Sequence, residues 1–354
     1  MSDNTFHFLN VKEGDCSIIE HASGHVSVID VCNARHVTTA DSSTASIRQQ
    51  LAANAAVVSG NFQQKKYPVN PIEYMQDRGI YSVFRFLLSH PDMDHMDGIK
   101  DFFETFSPYN FYDTDNNKEM DWSGPSPYRE EDWLFYKHLR DTKPQTDPKR
   151  ITIFPGDDAA YRTQDWNGNR PGDAFYVLAP TPELVSQANE SSGDYHDASY
   201  VILYNSPGGR IILSGDSHDA TWEYILDHFE NDVRDADLLI APHHGRSSGR
   251  SYNFLNVVNP KMTFFGNAKS EHLAYDAWRS RGLEYITNNQ ANCMVVDTSG
   301  SNLTLYVTHG KFALAANPNT FWSDHYKAWF VKEITGWDAK SRTQNAAYSA
   351  PRYA

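Results

Sequence analysis

Apolar and polar positions alternate with a period of two along Phe6-His7-Phe8-Leu9-Asn10-Val11, Cys16-Ser17-Ile18-Ile19-Glu20 and His25-Val26-Ser27-Val28-Ile29-Asp30-Val31. That period predicts three strands. The turn His21-Ala22-Ser23-Gly24 joins the last two, so the chain opens as a β-meander that ends at Asp30. From Asn33 to Lys66 the pattern changes to Ala, Ser, Thr and Gln, and Ser46-Ile47-Arg48-Gln49-Gln50-Leu51 reads as helix within loop. A helical pattern returns from Ile72 to Arg78 and stops at Gly79. The apolar run Val83-Phe84-Arg85-Phe86-Leu87-Leu88 is a buried strand, and another helix begins near Ile99 with Phe102 and Phe103 on one face.

Residues 104–150 are rich in Asp, Asn, Pro, Tyr and Trp and predict a strand at Tyr109–Asp113, a long loop and a helix around Asp132–Lys137. Strands follow at Phe175–Leu178, Ser199–Tyr204 and Arg210–Ser214, the last two joined by the hairpin signal Ser206-Pro207-Gly208-Gly209. A helix from Ala220 to Phe229 and a strand at Ala236–Ala241 come next. Strand Met262–Phe265, a helix from Leu273 to Arg281, and strands near Glu284–Ile286, Cys293–Val296 and Leu303–Val307 complete the pattern. The expectation is a mixed α/β (α+β) fold of two β-rich halves with helices outside. Residues 1–315 form one domain with inserts near 35–70 and 105–170. Residues 316–354 are an aromatic C-terminal extension, with Gln344–Ala354 expected to lack order.

At 354 residues the chain can bury a substantial core. Its 31 basic and 45 acidic residues leave a net charge of −14, which argues against a broad nucleic-acid footprint. A metal or a local groove can still hold phosphate. Cys16, Cys32 and Cys293 make neither a metal spacing nor an even disulfide framework, and buried free thiols are expected. MSDNTFHFLN carries no basic-then-apolar signal, and no apolar run approaches about 18 residues. The chain reads as soluble and cytoplasmic, with no membrane partner.

The chemistry is concentrated where the 83–88 strand ends. Ser89-His90-Pro91-Asp92-Met93-Asp94-His95-Met96-Asp97-Gly98 sets His90, Asp92, Asp94 and His95 on one strand-to-helix turn. Two imidazoles and two carboxylates in one volume repel if alike and cost desolvation if buried, unless a cation holds them. Further ligand-type residues stand at later strand ends: His196, Asp216 in Ser214-Gly215-Asp216, His243 and His244 in Pro242-His243-His244-Gly245, and His272. A dinuclear hydrolase needs about three protein ligands per ion, a bridging carboxylate and open positions, with the ions ~3.5–4 Å apart. This inventory supplies them.

The order of motifs resembles the metallo-β-lactamase-fold hydrolases, and specifically the soluble domain of the ComEC/Rec2 competence proteins and their stand-alone relatives. The likeness runs through Asn10-Val11-Lys12-Glu13-Gly14-Asp15-Cys16, Val28-Ile29-Asp30, His90-Pro91-Asp92-Met93-Asp94-His95, Ile212-Leu213-Ser214-Gly215-Asp216, Leu239-Ile240-Ala241-Pro242-His243-His244-Gly245, His272 and Tyr285-Ile286-Thr287. It implies a four-layer αββα sandwich with inserts and two divalent ions, Zn²⁺ or Mn²⁺, with Mg²⁺ also compatible. His90, Asp92 and His196 would hold the first ion and Asp94 and His95 the second. Asp216 would bridge, and His244, or else His243, would complete the set. Many lactamase-fold enzymes have His where this chain has Asp92, and the harder oxygen ligand moves preference toward Mn²⁺ or Mg²⁺. Competence-type domains often carry Asn at the place of His196, so His196 is either a ligand or a substrate contact.

The resemblance implies a hydrolase of phosphodiesters, a phosphodiesterase or nuclease acting on a nucleotide, a cyclic oligonucleotide or nucleic acid. The acidic chain suits the smaller substrates better than long DNA. Asp94 or Asp216 would orient the attacking water, and His272 or Arg246 would contact the phosphate. The alternatives are hydrolysis of a lactone, thioester or other small ester, or a non-catalytic binding module. The inserts and the aromatic extension are candidate surfaces for self-association. Asp15 is expected to hold backbone amides of its turn, and Asp30, Asp97 and His218 to lie behind the ligands or at the surface. Gly245-Arg246-Ser247-Ser248-Gly249 matches a nucleophile elbow, but the meander upstream does not fit an α/β-hydrolase sheet.

Overall fold

The computed structural model describes residues 4–36, 61–143, 146–157, 172–191, 194–269 and 272–335. The helix expected around Ser46–Leu51 and the Gln344–Ala354 end lie outside the described residues.

The period-two segments form β1 (Thr5–Phe8), β2 (Ser17–Glu20), β3 (Val26–Ile29), β4 (Arg85–Leu87), β5 (Asn110–Tyr112), β6 (Lys149–Ile151), β7 (Phe175–Ala179) and β8 (Val201–Ser206). They continue as β9 (Gly209–Leu213), β10 (Leu238–Ile240), β11 (Met262–Phe265), β12 (Tyr285–Thr287), β13 (Met294–Asp297), β14 (Leu303–Val307), β15 (Trp322–Ser323) and β16 (Ala328–Ile334). Among the described residues these make two sheets, ordered β15-β16-β14-β13-β1-β2-β3-β4-β5-β6 and β12-β11-β10-β9-β8-β7.

Successive side chains on a strand face opposite ways, and that sorts the core into layers. Phe6, Phe8, Ile19, Ile29 and Leu87 of the first sheet meet Ile202, Tyr204, Ile211, Leu213, Leu238, Ile240 and Phe264 of the second. Phe8 stacks on Phe264 across that interface at 6.3 Å between ring centroids. The alternate residues Val28, Phe86 and Phe111 are covered outside by helices Pro71–Asp77, Ile99–Phe106 and Glu130–Asp141, through Met75, Phe102 and Tyr136. Val201, Leu203, Ile212 and Leu239 are covered by helices Asp219–Val233, Leu255–Val258 and Tyr275–Arg279, through Ile225, Leu255 and Trp278. Helix, sheet, sheet, helix: this is the four-layer αββα sandwich with inserts.

Three expectations shift. The aromatic extension after residue 316 adds strands to the first sheet: β16 pairs antiparallel with β14 and buries Val331 and Ile334 in the core between the sheets. Trp329 packs against that core, whereas Trp322 on the two-residue edge strand is largely exposed. β6 was hidden in Lys149-Arg150-Ile151, whose polar residues suit a sheet edge better than an interior. The helix expected from Leu273 is only Tyr275–Arg279. The three cysteines are free and buried, as expected. No helix among the described residues is long and apolar enough to cross a membrane.

β3 to β6 run parallel, as do β9 to β12. Parallel strands place all their C-terminal ends at one edge of a sheet, which is where loops can gather polar residues around a ligand. The loops after β3, β4, β9 and β10 meet there.

Candidate metal centre

The turn after β4 supplies most of the site. Ser89 N–H donates to Asp30 Oδ1 at 2.7 Å and Ser89 Oγ donates to Asp30 Oδ2 at 2.6 Å, fixing the chain as it leaves the sheet. A single 3-10 turn at Met93–His95 then swings Asp94 and His95 around, before Gly98 leads into the helix. The first hairpin packs directly on this turn. A Cβ on Gly14 would lie 1.7 Å from the carbonyl oxygen of Asp94, so only glycine permits the approach.

Asp216 follows β9 and is buried. Its Oδ1 lies 3.2 Å from His95 Nε2 and 3.8 Å from His244 Nε2. Its Oδ2 lies 3.8 Å from His90 Nε2, 4.0 Å from His196 Nε2 and 3.5 Å from His243 Nε2. Asp94 Oδ2 is 3.5 Å from His244 Nε2, and Asp92 Oδ2 is 3.7 Å from His90 Nε2 and 3.9 Å from His196 Nε2. Two donors each ~2.1 Å from one ion at tetrahedral angles stand ~3.4 Å apart, close to these separations. The donors fall into two groups, His90, His196 and Asp216, and Asp94, His95 and His244, each with ligand atoms within 4.8 Å of one another.

The buried atoms test the fit. His90 Nε2, His95 Nε2, His244 Nε2 and Asp216 Oδ1 have no hydrogen-bond partner among the described residues, although the groups are enclosed. Each unsatisfied buried polar atom costs roughly 1–3 kcal/mol, and a cation shared between them removes that cost. Charge agrees. Burial by itself would raise the Asp94 carboxyl, but the nearby imidazoles of His244 and His95 bring it to about 2. Burial would lower His244, but Asp15 and Asp216 push it up to about 10. Positive charge belongs in this pocket, and the residues fit a pair of divalent ions.

Carboxylates stand behind two of the histidines. Asp30 Oδ2 is 2.8 Å from His95 Nδ1, and Asp15 Oδ1 is 2.9 Å from His244 Nδ1. The Asp30 bond leaves His95 Nε2 unprotonated toward the pocket when that imidazole is neutral, while Asp15 lies beside His244 Nδ1 as a charge partner without a hydrogen bond. Asp30 thus stands behind a ligand as expected. Asp15 does something other than hold its own turn. Asp15→Asn is expected to weaken metal affinity about 10–100-fold by freeing the His244 ring. Competition with a metallochromic chelator measures it, and wild-type affinity would show that Asp15 orients nothing.

Two cations went unrecognised in the sequence. Lys118, in the 105–170 insert, pairs with Asp92 Oδ1, leaving Oδ2 toward His90 and His196. Arg250 is buried and bonded through Nε to the carbonyl of Ser217 at 2.9 Å. Neither has a motif, since a lysine in a polar insert and an arginine after a Gly-Ser loop look like ordinary surface residues. His272, expected to touch substrate, is exposed and does not join either donor group. Its carbonyl instead accepts from Ser247 N–H at 2.6 Å. Arg246 lies 4.0 Å from Glu13. Ser247 is exposed, and no helix follows it closely, so the elbow-like string is a loop.

No family model matches the chain, and no curated protein matches it. Solved structures resemble it in overall shape. Tm1679, a metal-dependent hydrolase of the beta-lactamase superfamily, is 11% identical over 80% of this chain and 95% of that one, with a TM-score of 0.43. Igni18, a metallo hydrolase from the hyperthermophilic archaeon Ignicoccus hospitalis KIN4/I, is 11% identical over 82% and 98%, with a TM-score of 0.43. A diphosphatase from the PhnP family is 10% identical over 81% and 95%, with a TM-score of 0.37.

Proposed function

We propose that the protein is a metal-dependent hydrolase that cleaves a phosphodiester of a nucleotide, a cyclic oligonucleotide or nucleic acid. The observation that carries the metal reading is the disposition of Asp216, with one carboxylate oxygen facing His95 and His244 and the other facing His90 and His196. Asp92 completes the first group and Asp94 the second. Two divalent ions so held would supply an activated water near neutral pH and charge for the developing oxyanion. Asp92 is an oxygen donor in place of a histidine, which favours Mn²⁺ over Zn²⁺ relative to an all-histidine site. Lys118 shares Asp92, adding positive charge beside the first group.

The choice of a phosphodiester is supported by the resemblance of the motif order to the competence-type domains. The chain's own residues bind and orient: Asp94 and Asp216 position the water, and Lys118 beside Asp92 adds a cation near the substrate. Purified protein loaded with Mn²⁺ or Zn²⁺ is expected to hydrolyse bis-p-nitrophenyl phosphate, to lose activity in EDTA and to regain it when metal is returned. Activity that survives both EDTA and Asp94→Ala would end the metal reading. Turnover of lactones or thioesters with none of phosphodiesters would end the substrate reading.

A further inference from the structure

His243 and His244 are adjacent, and both rings enter the site. That is unusual for neighbours and requires an unusual backbone. His243 has φ +53°, His244 φ +57° and Gly245 φ +83°. A left-handed conformation costs a non-glycine residue of the order of 1–3 kcal/mol and persists only where the surroundings hold it. Here the N–H of His243 donates to the carbonyl of Gly215 at 3.0 Å, and the N–H of Arg246 returns to the carbonyl of His243 at 2.9 Å. A Cβ on Gly245 would fall 1.9 Å from the Phe265 ring, so only glycine lets the turn pack this closely.

The two rings are held by groups of opposite kind. Behind His244 stands a carboxylate, Asp15, with Oδ1 2.9 Å from Nδ1. Behind His243 stands a guanidinium, with Arg250 Nη1 2.7 Å from Nδ1. A guanidinium has only donors and does not deprotonate, so Nδ1 of His243 must accept. Ser248 Oγ, 2.8 Å from the same nitrogen, also receives a hydrogen bond from Arg250 Nη1 and can pass its own proton to Nδ1. Arg250 is itself fixed, bonding the carbonyls of Ser217 and Asp216. A neutral imidazole whose Nδ1 accepts carries its proton on Nε2.

That proton points into the site. Nε2 of His243 is 3.5 Å from Asp216 Oδ2, too long for a good N–H···O bond, so the donor is not spent there. The side chain of His243 keeps 11% exposure, whereas that of His244 is fully enclosed. A nitrogen that carries a proton has no lone pair for a cation. Resting on the hydrolase reading above, we propose that His243 is not a metal ligand but a neutral N–H donor to the substrate. Arg250 fixes its tautomer, and it hydrogen-bonds a non-bridging or leaving oxygen on the His90–His196 side of Asp216. His244 is then the ligand, and the Pro-His-His-Gly turn holds one residue of each role. Arg250 is a positioning residue.

Three readouts test this. In ¹⁵N-histidine-labelled full-length protein, long-range ¹H–¹⁵N correlation should show His243 protonated at Nε2, a preference lost in Arg250→Met. This measurement needs neither bound metal nor turnover, so it stands even if the hydrolase reading fails. Bound metal measured by plasma mass spectrometry should match wild type in His243→Asn and His243→Gln, and should fall by about one ion per chain in His244→Asn. Asn tolerates a positive φ, which guards against misfolding. On bis-p-nitrophenyl phosphate, His243→Asn should lower kcat by about 10²–10³-fold, the range for losing one oriented donor to a developing oxyanion. His243→Gln, whose amide N–H reaches the same place, should recover at least about tenfold of that loss. A proton on Nδ1, a lost ion in both His243 variants, or equal kcat in Asn and Gln variants would overturn the proposal.

Discussion

Asp216→Ala is expected to leave less than one bound metal ion per chain and to lower kcat/KM on bis-p-nitrophenyl phosphate by about 10³-fold or more. The size follows from where the carboxylate sits. Each oxygen faces a different histidine group, so one substitution removes a donor from both sites. Burial alone would raise this carboxyl, yet the charges of His95, His244 and His90 hold it well below the usual carboxylate range. It is therefore anionic whenever the protein is folded near neutral pH. Removing His196, at the more open side of the site, should cost less. A variant that keeps two ions and most of its activity would show that Asp216 does not bridge.

Asp173→Ala is expected to give the largest loss of stability, about 3–5 kcal/mol. Arg85 lies in β4 at the opposite end from His90, with its side chain wholly enclosed. Its guanidinium pairs with Asp173 Oδ2 and donates to Ser27 Oγ at 2.8 Å, lying between the rings of Phe84 and Phe175. Alanine at 173 leaves that charge buried without its carboxylate. The double variant Arg85→Met with Asp173→Ala should recover most of the loss, because a buried pair contributes little against an apolar replacement. Urea unfolding measures both. The pair also has a pH sign. Burial would raise the Asp173 carboxyl, but His21 and Arg85 leave it lowered. Its contribution is therefore complete above the unfolded carboxyl value of about 3.9 and is lost as pH falls through the lower folded value. A single variant as stable as wild type would mean that the guanidinium finds solvent.

The expected strands β1–β3, the β8–β9 hairpin and the helix Pro71–Asp77 were legible because local chemistry decides them. Phe6 and Phe8 alternate with His7, Pro207-Gly208 fit the two-residue loop, and Asn70 caps the helix by accepting from Ile72 N–H at 2.8 Å. The ligand residues were legible for a related reason. His90, Asp92, Asp94 and His95 are crowded on one turn, and Asp216 and the 243–244 pair each end an apolar strand. The C-terminal strands were not. Residues 328–334 read as part of an aromatic extension because apolar and polar positions there do not alternate strictly, and only pairing with β14 and β15 shows that they form a strand.

By itself, then, the sequence determined the layered α/β class and the identities of the groups that can hold a cation, since periodicity and strand-end positions are local properties. The tertiary structure decided how those groups are used. It set Asp15 behind His244 and Arg250 behind His243, across separations of 229 and 7 residues. It brought Lys118 from the insert to Asp92, 26 residues away in the chain. A histidine's role depends on whether a carboxylate or a guanidinium stands at its far nitrogen. Spacing along the chain carries no record of that, because the partners are chosen by packing.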